Sequence, residues 1–362
     1  MKKSVFIIGL TILVCIVCLV GTSLILLEAQ NRNVRSLGWE EDGYLWTVGM
    51  FGNVRWDVNQ QTVVNRTFRP DAIDQIFVSQ TGEVWGYGHG VWLFEEGGWT
   101  EVGEAGGLKR GVIYDMVQTS DGTIWVATWY GFKTWNAENR RWEPSIIERP
   151  GRILLQASDN SLWFGLTDEG VIRLQSDNLT HWTTSNGLID NKVRSMLSAS
   201  DGTIWVGTSD GISHWNGNSW QGWVDLGHPD ADGLTVFKLL EASDGTIWAD
   251  TSQDFARWKQ GQWTTYKRDP FCGNSYSFLE ADDGSLWAGC AIGLFRWAGS
   301  SWQEYDISEG IQDNSFARLV QGGNGMLYAH TKSGLYQYIP QQDRWQPFPG
   351  QQTLLERLIF FR

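Results

Sequence analysis

Residues 187–223, GLIDNKVRSMLSASDGTIWVGTSDGISHWNGNSWQGW, hold four short segments rich in Val, Ile, Thr and Trp, each closed off by Gly, Asn or Asp. Segments of this length and composition read as strands, and the residues between them as tight turns. Val193–Ala199 runs into Asp201-Gly202 and Thr203–Thr208 returns; an Asp-Gly pair suits a two-residue hairpin turn whose central residues both take positive φ. A third segment follows Gly211 and carries Trp215, and a fourth carries Trp220. Four strands this short cannot bury their own apolar faces, so the unit becomes stable only when stacked on copies of itself.

The copies are present along the whole chain. Anchoring on the second strand gives Trp46, Trp85, Trp125, Trp163, Trp205, Trp248, Trp287 and Tyr328, at intervals of 38 to 43 residues. The turn recurs as Asp42-Gly43, Thr81-Gly82, Asp121-Gly122, Asp159-Asn160, Asp244-Gly245, Asp283-Gly284 and Asn324-Gly325. A period near 40 belongs to propeller blades or to certain helical arrays, and segments of four to seven residues exclude the helical arrays. The expected fold is therefore all-β: a β-propeller of eight four-stranded blades, with seven as the alternative if the first unit is divergent. Most tryptophans fall in the second, third and fourth strands of the units and read as core. Leu355–Phe361 resembles the inner strand Phe316–Gly322, and one reading has it displacing Val34–Trp39 to lock the ring. The fourth unit lacks both the Asp-Gly turn and the aromatic of the third strand.

Composition narrows the function classes. The 362 residues include 23 Trp and 42 Gly, carry a formal net charge of −13, and show no basic stripe of the kind that phosphate binding needs, so nucleic acid is excluded as a partner. Residues 1–30 differ in kind: Lys2 and Lys3 precede an uncharged run from Ser4 to Leu27, long enough to cross a bilayer, with no good cleavage site after it. They read as an uncleaved single-pass anchor in the cell membrane, with a removed signal peptide as the alternative, and residues 31–362 are expected to form the propeller on the extracytoplasmic side. Cys15 and Cys18 belong to that anchor, while Cys272 and Cys290 lie in one unit, where both a disulfide and two separate thiols fit the spacing.

Units such as SDGTIWVGTSDGISHW (200–215) and DDGSLWAGCAIGLFRW (282–297), together with GLIDNKVRSM before the first of them, resemble the two-component regulator propeller repeats. The resemblance runs from about residue 34 to the end and is strongest in units three, five, six and seven. It implies a propeller ectodomain that senses a ligand, often a saccharide. No kinase, receiver or DNA-binding region is read within residues 1–362, so fold and ligand binding are expected to carry over from the resemblance, with signalling expected to pass through a partner.

In a propeller, the loops between second and third strands share one rim with the loops that lead into the next blade. Departures from the repeat on that rim are the informative ones. Tyr87 and His89 in unit two, with Trp129 and Tyr130 in unit three, predict an aromatic patch near the channel mouth, suited to a sugar or a cation. The inter-blade loops add Lys109 and Arg110, Glu148 and Arg149, His228, Lys267 and Arg268. His181 and His214 read as blade packing, leaving His89, His228 and His330 for the rim. Catalytic readings are thin. A streptogramin-lyase-like enzyme would need a matched His and Glu pair that no motif supplies, and the glycines fall at repeat positions instead of cradling phosphate. No cofactor and no metal site is expected; the Asp-Gly turns are explained by geometry. The expected function is a ligand-binding sensor module, with an envelope scaffold that docks another protein as the alternative and the lyase as a third reading.

Overall fold

The computed structural model describes residues 34–40, 43–49, 52–67, 73–227, 233–267, 275–306, 308–312, 317–331 and 333–349. They form eight four-stranded sheets, each built from consecutive strands in simple order. All the pairings are antiparallel; in blade five, Val193–Ser198, Ile204–Thr208, Gly211–Trp215 and Trp220–Trp223 pair in turn. We call the four strands of a blade a to d from the inside outward. Strand a of each blade contacts the blade that precedes it, and strand a of blade one (Val34–Glu40) contacts strand a of blade eight (Arg318–Gln321), so the ring is closed. The blade number is eight.

Val34–Glu40 is itself strand a of blade one, paired with Tyr44–Gly49. That position is therefore not taken by the carboxyl-terminal segment, and Leu355–Phe361 lies outside the described residues, as do residues 1–33. Among the described residues no helix is long and apolar enough to cross a membrane.

The turn between strands a and b differs from the two-residue form expected. Gly202 N donates to Ala199 O (3.0 Å) and Ala199 N to Thr203 O (2.9 Å), and Gly202 alone of the Asp201-Gly202 pair has positive φ, at 84°. The loop is thus three residues long, an ordinary turn followed by one left-handed residue. Asp201 acts through its side chain, whose Oδ1 accepts from Thr203 N (2.9 Å) and Oγ1 (2.6 Å). Blade four makes the same turn with Asn160 at φ 62°, since Asn is among the few side chains that tolerate this region.

The apolar core is divided among the blade interfaces. The strand b indole packs against the c and d aromatics of the next blade: Trp85 on Trp135 and Trp142, Trp205 on Trp258 and Trp263, Trp287 on Tyr338 and Trp345. Each such ring removes 150–250 Å² from water, about 4–6 kcal/mol of gross hydrophobic stabilisation. Blade four has Leu174 in place of the strand c aromatic, and there Trp125 meets Phe164 of strand b, with Leu162 and Leu174 filling the remaining space. The missing aromatic is compensated from a neighbouring strand.

Candidate functional site

Blade three presents the two aromatics of the sequence reading on a two-residue loop. Thr128 ends strand b and pairs with Gly131 at the start of strand c. The Thr128 hydroxyl donates to Gly131 O (2.7 Å) and accepts from Tyr130 N (3.0 Å), which fixes the loop. Gly131 has φ 104°, and a Cβ there would stand 2.6 Å from Ile147 O, so only glycine lets the following inter-blade loop close over it. With the backbone held and the interior filled, Trp129 and Tyr130 project outward, 50% and 44% exposed.

These side chains wall a cleft of about 540 Å³. Leu108 and Lys109 enter it from the loop before blade three, Lys133 and Pro144 from strands c and d, and Glu148 from the loop after. Lys109 Nζ lies 4.7 Å from the centroid of the Tyr130 ring, a cation–π distance. Val112 (36% exposed) and Ile146 (67%) lie on the same two loops. The cleft therefore offers two flat rings, two ammonium groups and one carboxylate.

The other residues singled out from sequence are placed elsewhere. Tyr87 is buried at 6%, its hydroxyl donating to Gln75 Oε1 (3.0 Å), and burial first, then the Asp115 charge, pushes its ionisation well up. It belongs to the blade two–three core and not to an exposed patch. His89 is exposed but does not line the cleft. Arg110 points into solvent 3.6 Å from Glu104, and Arg149 is ion-paired with Glu169. Lys267 is exposed beyond blade six. His330 is buried at 3% in strand Leu327–Thr331 instead of standing on the rim. His214 stacks on Trp205 at 4.0 Å and His181 bonds Glu169 O, both within blades. His228, Arg268 and Cys272 lie outside the described residues. Cys290 is buried and disulfide-bonded, and its partner also lies outside them. No group of three or more His, Cys, Asp or Glu positioned for a metal occurs among the described residues.

Sequence reading missed Lys133 and Pro144, which sit at ordinary strand positions, and it missed the inner wall altogether. In seven blades the strand register shifts at the second residue of strand a, a bulge at Arg35, Asp74, Tyr114, Arg152, Arg194, Phe237 and Tyr276. Reading that single position down the repeats would have exposed its unusual chemistry.

The architecture and the rim define the class: an eight-bladed propeller with a ligand-sized cleft on the face where strands b and c connect. Its repeats are matched by a family model, two component regulator propeller, over residues 107–130 and 187–210. No curated protein matches the chain in sequence. Among solved structures, the extracellular domain of a proposed hybrid two component system from B. thetaiotaomicron is 22% identical with a TM-score of 0.59, over 73% of this chain and 37% of its own. A second such domain from the same organism is 17% identical with a TM-score of 0.53, over 83% and 50%. A streptogramin B lyase is 16% identical with a TM-score of 0.51, over 85% and 93%. At these identities the likeness shows the propeller fold. The match spans between a third and a half of the length of the two extracellular domains.

Proposed function

We propose that this chain is an extracytoplasmic sensor-type propeller that binds a small ligand, with a saccharide as the first candidate, in the blade-three cleft. The observation that carries the reading is the pair Trp129 and Tyr130, half exposed on a rigid loop in a cleft of about 540 Å³ with Lys109, Lys133 and Glu148 around them. Large aromatic rings left in water cost free energy unless something covers them, and flat amphipathic rings flanked by hydrogen-bonding groups suit the apolar faces and hydroxyls of a sugar. The matching repeats and the extracellular sensor domains among its structural neighbours agree with sensing. The uncharged run from Ser4 to Leu27 would hold the propeller at the membrane, and a partner would carry the signal onward.

A second reading, an envelope scaffold, draws on Ile146 and Val112 beside the cleft, which would suit a protein partner. A thermal-shift and calorimetric screen of mono- and oligosaccharides on the full-length chain in detergent separates the two. A saccharide that binds wild type and loses at least about tenfold, roughly 1.4 kcal/mol, in both Trp129→Ala and Tyr130→Ala supports the cleft. A saccharide bound equally by wild type and both variants overturns it.

A further inference from the structure

Seven inner strands share the bulge position, and on three consecutive blades it is occupied by Tyr114, Arg152 and Arg194. This is the second residue of strand a, at the rim where strands b and c connect, so the three residues follow one another around the mouth of the central channel. Both arginines are partly buried, and each meets a neutral partner. Arg194 Nε donates to Ser209 Oγ at 2.7 Å, which leaves the two terminal amino groups of its fork unengaged by that bond. Arg152 lies over the Tyr114 ring, 5.8 Å from its centroid. Among the described residues neither forms an ion pair; the Asp168 carboxylate acts on Arg152 only from beyond contact distance.

Burial, and after it the Arg194 charge, lowers the proton affinity of Arg152. The two cations therefore repel each other across the blade interface while partly out of water. In a chain of net charge −13 with 41 acidic residues, no described carboxylate is in ion-pair contact with either guanidinium; the nearest to Arg194 through a bonded chain is Asp190, which accepts from Ser209 N at 3.1 Å. Positioning without neutralisation is what a site needs if the ligand is to bring the counter-charge.

We propose that Arg152 and Arg194 form an oxyanion site at the channel mouth, taking a carboxylate, sulfate or phosphate group of a small ligand, with the Tyr114 ring as its side wall. The site is independent of the blade-three cleft. It stands whether or not a saccharide binds there, and Trp129→Ala should leave it intact.

The test uses full-length protein in detergent with sulfate, inorganic phosphate and glucuronate, each at millimolar concentrations and constant ionic strength set with chloride. Wild type should show saturable calorimetric binding of at least one probe and a matching rise in unfolding temperature. Arg152→Gln and Arg194→Gln should each weaken that binding by about tenfold or more. Without the anion, each variant should be at least as stable as wild type, because one repulsive charge has gone; a purely structural arginine would give the opposite result. Trp129→Ala should bind the anion as wild type does. Should a variant fail to fold, phenylglyoxal labelling of wild type reports the same contacts, with Arg152 and Arg194 protected when the anion is present. No saturable binding of any of the three probes, unchanged binding in both variants, or labelling of both arginines indifferent to the anion would each overturn the site.

Discussion

Asp115, on strand a of blade three, accepts hydrogen bonds from Met116 N (3.0 Å) and, across the interface, from Leu154 N of blade four (3.1 Å). Burial is nevertheless the larger influence and pushes its carboxyl up to about 6 from 3.8, against those two bonds and the Lys238 charge from blade six. Tyr87 packs nearby from blade two. A carboxyl raised on folding contributes stability that is full below its unfolded value and is lost as pH rises through the folded one. The Asp115 contribution should therefore fall between about pH 4 and pH 6, by roughly 2 kcal/mol given that solvent still reaches the group. Urea titrations of wild type and Asp115→Asn at several pH values should diverge over that window; parallel curves would remove the argument. The residue scale was the least legible in sequence. Asp115, Arg152 and Arg194 sit in ordinary-looking strands, and only the closed ring brings Asp115 within reach of the Lys238 charge and Arg152 within reach of Arg194. Trp129 and Tyr130 were legible because they broke a repeat at a loop, where no packing rule asks for an aromatic. Tyr87 broke it too, but its side chain turned inward, and one sequence position cannot tell those outcomes apart.

At the scale of the element, the a–b turn shows what a repeat encodes. Gly202 has φ 84° and a Cβ there would meet nothing closer than Ser158 Oγ at 3.9 Å, so Gly202→Ala isolates the backbone cost, about 1 kcal/mol by chemical denaturation. Asn160→Gly in blade four should cost nothing or stabilise slightly. If Gly202→Ala proved neutral, the left-handed assignment would be wrong. The turns were found correctly from sequence and described wrongly: Asp-Gly marked the place, but the pairing of Ala199 with Thr203 shows one left-handed residue and a side-chain cap. The turns also join blades. Ser200 N and Oγ both donate to Glu241 of the next blade, and Ser243 repeats this with Glu280. Such contacts have a period of one blade and cannot be read inside a single unit.

The whole molecule depends on one seam without a shared strand. Blades eight and one are each complete, so the ring is closed by packing: Trp39 stacks on Tyr328 at 5.8 Å and Trp56 meets Phe348 edge-on at 5.8 Å. Gly322 lets this happen, since a Cβ there would lie 2.5 Å from the Trp39 ring. Gly322→Ala should cost about 1–3 kcal/mol and speed hydrogen exchange in blades one and eight ahead of the rest. Gly98→Ala, with nothing within 4 Å, is the matched control on another blade, and equal behaviour of the two would argue against a seam closed by packing.

The periodicity of the chain determined that there are blades, how many strands each has, and that indoles form the core, because each of these follows from a local pattern repeated in phase. Only the tertiary structure decided that each strand b indole serves the next blade, that the ring closes on its own first strand, and which rim side chains face solvent. Those outcomes depend on how far one sheet turns against another, an angle set by the packed interfaces together and by no residue alone.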